Sequence, residues 1–170
     1  MRQTPLESFD AIRWIGERQP SLQRHLGPGS QPLLHFALMW NMFEGELCDS
    51  SASSAKLREV AVRLAERGLL AHPSAQAFRQ FVEERYWDGE KVTERFAFLR
   101  LRSAAENVAV SGVLSGQIAE SEGVIHALLL VVYRYRNNTF HGLKEVAEVL
   151  GSPELFDQGA RFLGAALECA

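Results

Sequence analysis

Residues 127–133, ALLLVVY, form the longest unbroken apolar run in the chain, and such a run leaves few ways to fold. It is far short of the roughly 20 residues needed to span a bilayer. On a helix it is apolar on every face, so other elements must surround it. Residues 121–137 are therefore expected to form the most buried helix.

The neighbouring sequence supplies helices to do the surrounding. Ser30 and Pro32 read as an N-cap and a first-turn proline for a helix reaching about Cys48. Its broad face carries Leu33, Phe36, Ala37, Trp40, Phe43, Glu44 and Leu47, all apolar except Glu44. The last Ser of DSSASS, residues 49–54, is expected to cap a helix over 56–70. There Leu57, Val60, Ala61, Leu64 and Ala65 keep helical spacing. Ser74 is expected to cap the next helix, with Phe78, Phe81, Val82 and Tyr86 inward, before a turn at WDGEK. A longer helix is expected over 92–110, interrupted or ended by SGVLSGQ. Ser152-Pro153-Glu154 opens a last helix striped with Leu155, Phe156, Phe162, Leu163 and Leu167.

Shorter pieces complete the reading. Ser8 suits a cap for an opening helix with Phe9, Ile12 and Ile15 inward. Residues 19–32 are rich in Pro and Gly and read as an irregular connection. Residues 143–150 read as helix, stopped by Gly151. No period-2 alternation of useful length occurs, nor any fixed-period repeat. The expectation is an all-α bundle with additional short helices. It forms one domain over 1–170, with 1–31 as an N-terminal extension and 32–170 as the bundle.

Composition narrows the function classes. At 46% hydrophobic and 23% charged residues, the chain is in the soluble globular range. A net charge of −3 argues against coating DNA or RNA through bulk electrostatics, but not against a local anion site. No secretory h-region and no membrane-length run appear. Cys48 and Cys169 have no metal spacing, so a reduced cytoplasm is the expected location. His25, His35, His72 and His126 are scattered, with no HExxH or Cys-x-x-Cys. His126 reads as a core histidine, and GVLSGQ lacks the Lys-Ser/Thr of a phosphate loop.

The apolar run ends in VVYRYRNNTFHGLKEV, residues 131–146, which crowds two guanidiniums, two amides and an imidazole together. On an unbroken helix, residues seven apart nearly eclipse, so Arg134 and His141 would share a face roughly 10 Å apart. Arg136, five from His141, would diverge by about 140°. Asn137, Asn138 and Thr139 favour caps and turns, and a break there would let Arg136 and His141 converge. Asn137 and Glu145, each four residues from His141, are placed to orient the imidazole. Arginine matches phosphate oxygens with a planar fork, and histidine exchanges protons near neutrality. Together they suit phosphodiester cleavage of RNA, whose 2′-OH is its own nucleophile, with no need of metal or cofactor. The bland alternative is a helix end where Arg and His meet free carbonyls.

Other cations and one acid join the list of candidates. Glu44 is expected to pair with Arg134 or Arg136 across the bundle. Arg95, Arg100 and Arg102 of ERFAFLRLRS, with Lys144, are candidate RNA-binding residues. For the three arginines the competing reading is a solvated face of an amphipathic helix.

RNNTFHG resembles the Arg-x4–6-His signature of the HEPN superfamily. Arg136 to His141 gives the four-residue spacing and Arg134 to His141 the six-residue one. An all-α chain with the motif after a late apolar helix, and MWNMFEGEL on an early one, is similar to the family setting. The resemblance implies a helical bundle that dimerises, joining two motifs in one cleft. It implies a metal-independent endoribonuclease of a toxin–antitoxin, defence or RNA-processing system, with RNA as substrate and an antitoxin or other protein as partner. His141 would be the general acid/base, Arg136 the phosphate-binding group and Asn137 a supporting hydrogen-bonder. Some toxin members carry Tyr two residues after the His; this chain has Leu143. Other members are non-catalytic modules that bind nucleotide, RNA or protein, which is the alternative expectation here.

Overall fold

The computed structural model describes residues 30–140 and 151–170, together with Asp10, Arg13, Trp14, Glu17 and Pro20. The expected Ser8-capped helix, most of the 19–32 connection and the 143–150 helix lie outside these residues. The described residues form six α-helices and two 3₁₀ segments, an all-α bundle. Helix α1 is Gln31–Leu47, α2 Ser54–Glu66, α3 Pro73–Tyr86, α4 Ala104–Leu114, α5 Ser121–Phe140 and α6 Pro153–Glu168. The 3₁₀ segments are Leu69–Ala71 and Glu94–Leu99.

Helices α2, α3 and α4 start at side-chain caps, twice not at the expected residue, whereas Ser30 and Ser152 precede α1 and α6 without a side-chain cap bond. Ser53, not Ser54, caps α2: its backbone is extended, and its Oγ accepts from the Lys56 amide at 3.1 Å. His72, not Ser74, caps α3, its Nδ1 accepting from the Ser74 amide at 3.1 Å. Pro73, with its φ preset for a first helical residue, fixes that start. Gly68 (φ +76°) ends α2 in the left-handed region.

The long helix expected over 92–110 is instead two elements. Arg100 turns left-handed (φ +51°), and Ser103 caps α4 by accepting from the Glu106 amide at 3.1 Å. Asn138 Nδ2 donates to the Phe98 and Leu99 carbonyls at 3.0 and 3.1 Å, using acceptors that an α-helix would spend on its own next turn. Tertiary hydrogen bonding here overrides an apolar spacing that reads as helix.

Helix α5 occupies the centre. Val124, Ile125 and residues 127–132 are all buried, as a run apolar on every face requires. Helices α2 and α4 pack chiefly on α5, while α1 and α3 pack chiefly on α6. Phe36, Trp40, Phe43 and Leu47 are the buried stripe of α1. Aromatic contacts join the layers: Phe78 stacks on Phe162 with centroids 4.8 Å apart, and Phe36 meets Phe156 at 5.4 Å. Phe81 and Leu167, expected inward, are only partly buried. No described helix is long and apolar enough to cross a membrane.

Gly159 permits the close approach of α1 and α6, because a Cβ there would lie 2.9 Å from Cε2 of the buried Phe36. Gly159→Val is expected to lower stability by about 2 kcal/mol through overpacking, read as a lower urea midpoint at unchanged slope.

Candidate functional site

The last turns of α5 send their polar side chains to three different neighbours. Arg136 turns toward α1, Arg134 toward α4, and Tyr135 and Asn138 toward α3 and the Glu94–Leu99 segment.

Arg136 is partly exposed, with its Nη2 4.0 Å from Glu44 Oε2. Its Nη1 donates to Asn137 Oδ1 at 3.0 Å. Glu44 is itself held on both oxygens. Trp40 Nε1 donates to Oε2 at 2.9 Å, and the Ala52 amide donates to Oε1 at 3.1 Å. Asp49 and Ser50 adopt positive φ (52° and 60°), which folds the chain back so that Ala52 reaches Glu44. Tyr133 stacks on Trp40 (5.7 Å, 23°) and donates its hydroxyl to the Ala52 carbonyl at 3.2 Å. A partly exposed pair at 4.0 Å, without a hydrogen bond between its charges, contributes little to stability. Its chemical meaning is positional: a fixed carboxylate and amide orient a guanidinium that still has surface.

Arg134 is different. Its side chain is 1% exposed, and Nη1 lies 3.9 Å from Glu106 Oε2, beyond hydrogen-bond range. Its Nε and Nη1 have no hydrogen-bond partner, and the guanidinium lies 5.3 Å from the Tyr133 ring centre. Burial holds its pKa below the ordinary value, against the opposing pull of Glu106. Glu106, also buried, accepts from the Arg102 amide at 2.8 Å. A group so buried offers no surface to a phosphate. The expected partner Glu44 thus faces Arg136, while Glu106 faces Arg134. Glu106 went unnoticed in the sequence, although Ser103-x-x-Glu106 is a legible capping-box pattern.

The break expected at residues 137–139 does not occur, since α5 runs to Phe140. Asn137 and Asn138 are buried, and their side chains spend hydrogen bonds on Arg136 and on the Phe98 and Leu99 carbonyls. They therefore do not compete for the helix's own backbone groups. His141, Leu143, Lys144 and Glu145 lie outside the described residues, so the approach of Arg136 to His141 does too.

Arg95, Arg100 and Arg102 are exposed. They sit on the 3₁₀ segment and the connection after it, not on the face of an amphipathic α-helix. Among the described residues no group of His, Cys, Asp and Glu could hold a metal ion. The chain matches no protein-family model, no curated protein and no solved structure.

His126 is a partly buried histidine with its Nε2 3.3 Å from the Ser54 carbonyl. Burial lowers its pKa below the ordinary 6.5. The folded state therefore prefers neutral imidazole. This contribution is complete above about pH 6.5 and is lost as pH falls toward the lowered folded value. Urea midpoints at about pH 7.5 and 5.5 are expected to fall less for His126→Gln than for the unaltered protein.

Proposed function

We propose that the chain is a metal-independent endoribonuclease of the HEPN type, acting as a homodimer with a composite site. The observation that carries this reading is the pair of arginine environments. Arg134 is buried against Glu106, whereas Arg136 is partly exposed and oriented by Asn137 and Glu44. Arg136 is thus the partly exposed guanidinium of the two, five residues before His141 in the sequence. An imidazole at His141 takes the proton from the ribose 2′-OH as its oxygen bonds to phosphorus. The bond from phosphorus to O5′ breaks, and a proton is delivered to that leaving oxygen. The products are a 2′,3′-cyclic phosphate and a 5′-hydroxyl. Arg136 stabilises charge on the non-bridging oxygens as the bonds exchange. Two motifs in one cleft would supply one imidazole for each proton transfer.

The dimer is supported by α1, where Leu34, Leu38 and Met42 leave an apolar stripe exposed on the helix that carries Glu44. A cytoplasmic toxin, defence or RNA-processing role, with a protein partner such as an antitoxin, belongs to the same proposal. A second reading is a non-catalytic module that binds RNA, nucleotide or protein through this face. It is favoured by the engagement of Arg136 with Asn137, which already occupies part of the fork.

The two readings separate on a pool of single-stranded and structured RNA incubated with the protein in EDTA. Cyclic-phosphate ends made by the unaltered chain and not by His141→Ala support the ribonuclease. Binding with no turnover at any protein concentration supports the module.

A further inference from the structure

A cavity of about 320 Å³ opens between α3, the Glu94–Leu99 segment, α5 and the start of α6, and neither Arg136 nor Glu44 lines it. Its size is that of a site for a small ligand. The side chains that matter are Arg85, Tyr86, Arg95, Phe98, Tyr135 and Asn138.

The polar groups in its wall are set for a ligand with both an anion and a flat ring. Arg85 lies beside the rings of Phe81 and Tyr86, and its Nη1 is 3.7 Å from the exposed Glu154. Arg95 makes no ion pair with a described residue. Two guanidiniums on one cavity, with Glu154 the one carboxylate paired to them among the described residues, favour an anion with several oxygens. Phe98 is 62% exposed, an apolar ring at the cavity that the core does not use. Such a ring is a stacking platform for a base.

Asn138 fixes the inner wall of the cavity. Both contacts of its Nδ2 are to carbonyls, which only accept, so the orientation of the amide is fixed. Its Oδ1 is left buried with no partner. That oxygen is closed even to water, so Asn138 shapes the inner wall and offers no bond to a ligand. The Tyr86 and Tyr135 hydroxyls are bonded to each other at 3.0 Å, and burial raises both pKa values, so both stay neutral.

We propose that this cavity seats one nucleotide, with its phosphate between Arg85 and Arg95 and its base on Phe98. The nucleotide is either free or one unit of an RNA strand, and both present the same phosphate, ribose and base. This site goes beyond the reading of the Arg136 motif: only Asn138 of its walls lies within that motif, and neither Arg136 nor Glu44 lines the cavity.

The test is calorimetric titration of the full chain with adenosine 5′-monophosphate, beside adenosine alone and inorganic phosphate alone. Saturable binding with one nucleotide per chain is expected, at least about tenfold tighter than either half-ligand. Arg95→Gln and Phe98→Ala, both at exposed positions, are each expected to weaken it about tenfold while leaving the melting temperature in place. No saturable heat up to millimolar nucleotide overturns the proposal, and so does equal binding by both folded variants. Titrating a 2′-O-methyl RNA in the presence of the nucleotide then identifies the source. Competition assigns the site to an RNA strand, and independent binding assigns it to a free nucleotide. Because binding is read without cleavage, an inactive His141→Ala leaves this result unchanged in meaning.

Discussion

Replacing His141 with Ala is expected to slow RNA cleavage by about 10²–10⁴-fold, the contribution of one positioned proton-transfer group. Single-turnover rates in EDTA are the proper reading, because they separate the chemical step from product release. Arg136→Ala is expected to cost about 10²–10³-fold, as for the loss of one donor to a developing oxyanion. Arg136→Lys is expected to fall between, since it keeps the charge and loses the planar fork. Substrate affinity is expected to change far less than rate in His141→Ala. A His141→Ala chain that cleaves at the original rate contradicts the assignment, whatever its Arg136 counterpart does.

The second large effect concerns stability. Glu106→Ala is expected to destabilise the fold by about 3–5 kcal/mol, because it strands a buried guanidinium without its counter-charge. Loss of the acceptor for the Arg102 amide adds about 1 kcal/mol. Domains of this size are stable by about 5–15 kcal/mol, so the variant lies close to unfolding at ordinary temperature. Glu106→Gln keeps an oxygen for that amide and isolates the charge. Replacing both partners, Arg134→Met with Glu106→Leu, is expected to cost much less than Glu106→Ala, since no unpaired charge remains. Urea unfolding of the three variants checks this. A Glu106→Ala protein within 1 kcal/mol of the original would show that Arg134 finds other compensation.

The same pair shows what was legible in the sequence. The apolar period of residues 33–47, 57–64 and 155–163 revealed the helices and their inward faces, because burial of a stripe is a local pattern. The run at 127–133 identified the central helix for the same reason. Local reasoning failed where long-range hydrogen bonds decide. Asn137 and Asn138 read as helix terminators, yet their amides are occupied by Arg136 and by the Phe98 and Leu99 carbonyls, so α5 continues to Phe140. The same contacts turn residues 94–99 into a 3₁₀ segment. Of the site, Arg136, Asn137 and Glu44 were visible as residue types, and their grouping was offered as one of two pairings. That Glu44 faces Arg136 while Glu106 faces Arg134 was not legible, because the buried position of Glu106 follows from how α4 packs on α5.

Pocket chemistry was less legible still. Tyr86 and Tyr135 are 49 positions apart, and nothing in either neighbourhood announces their hydrogen bond. Arg95 read either as an RNA-binding residue or as part of a solvated helix face, and the 3₁₀ segment places it with Phe98 at a cavity.

The most direct test of the ribonuclease reading compares two oligonucleotides in EDTA, one all-RNA and one with 2′-deoxyribose at the mapped cleavage position. The first is expected to be cut to a 2′,3′-cyclic phosphate and a 5′-hydroxyl, while the second stays whole at that position. Cleavage of the deoxy-substituted strand at the same site, or none of either by folded dimer, would contradict it.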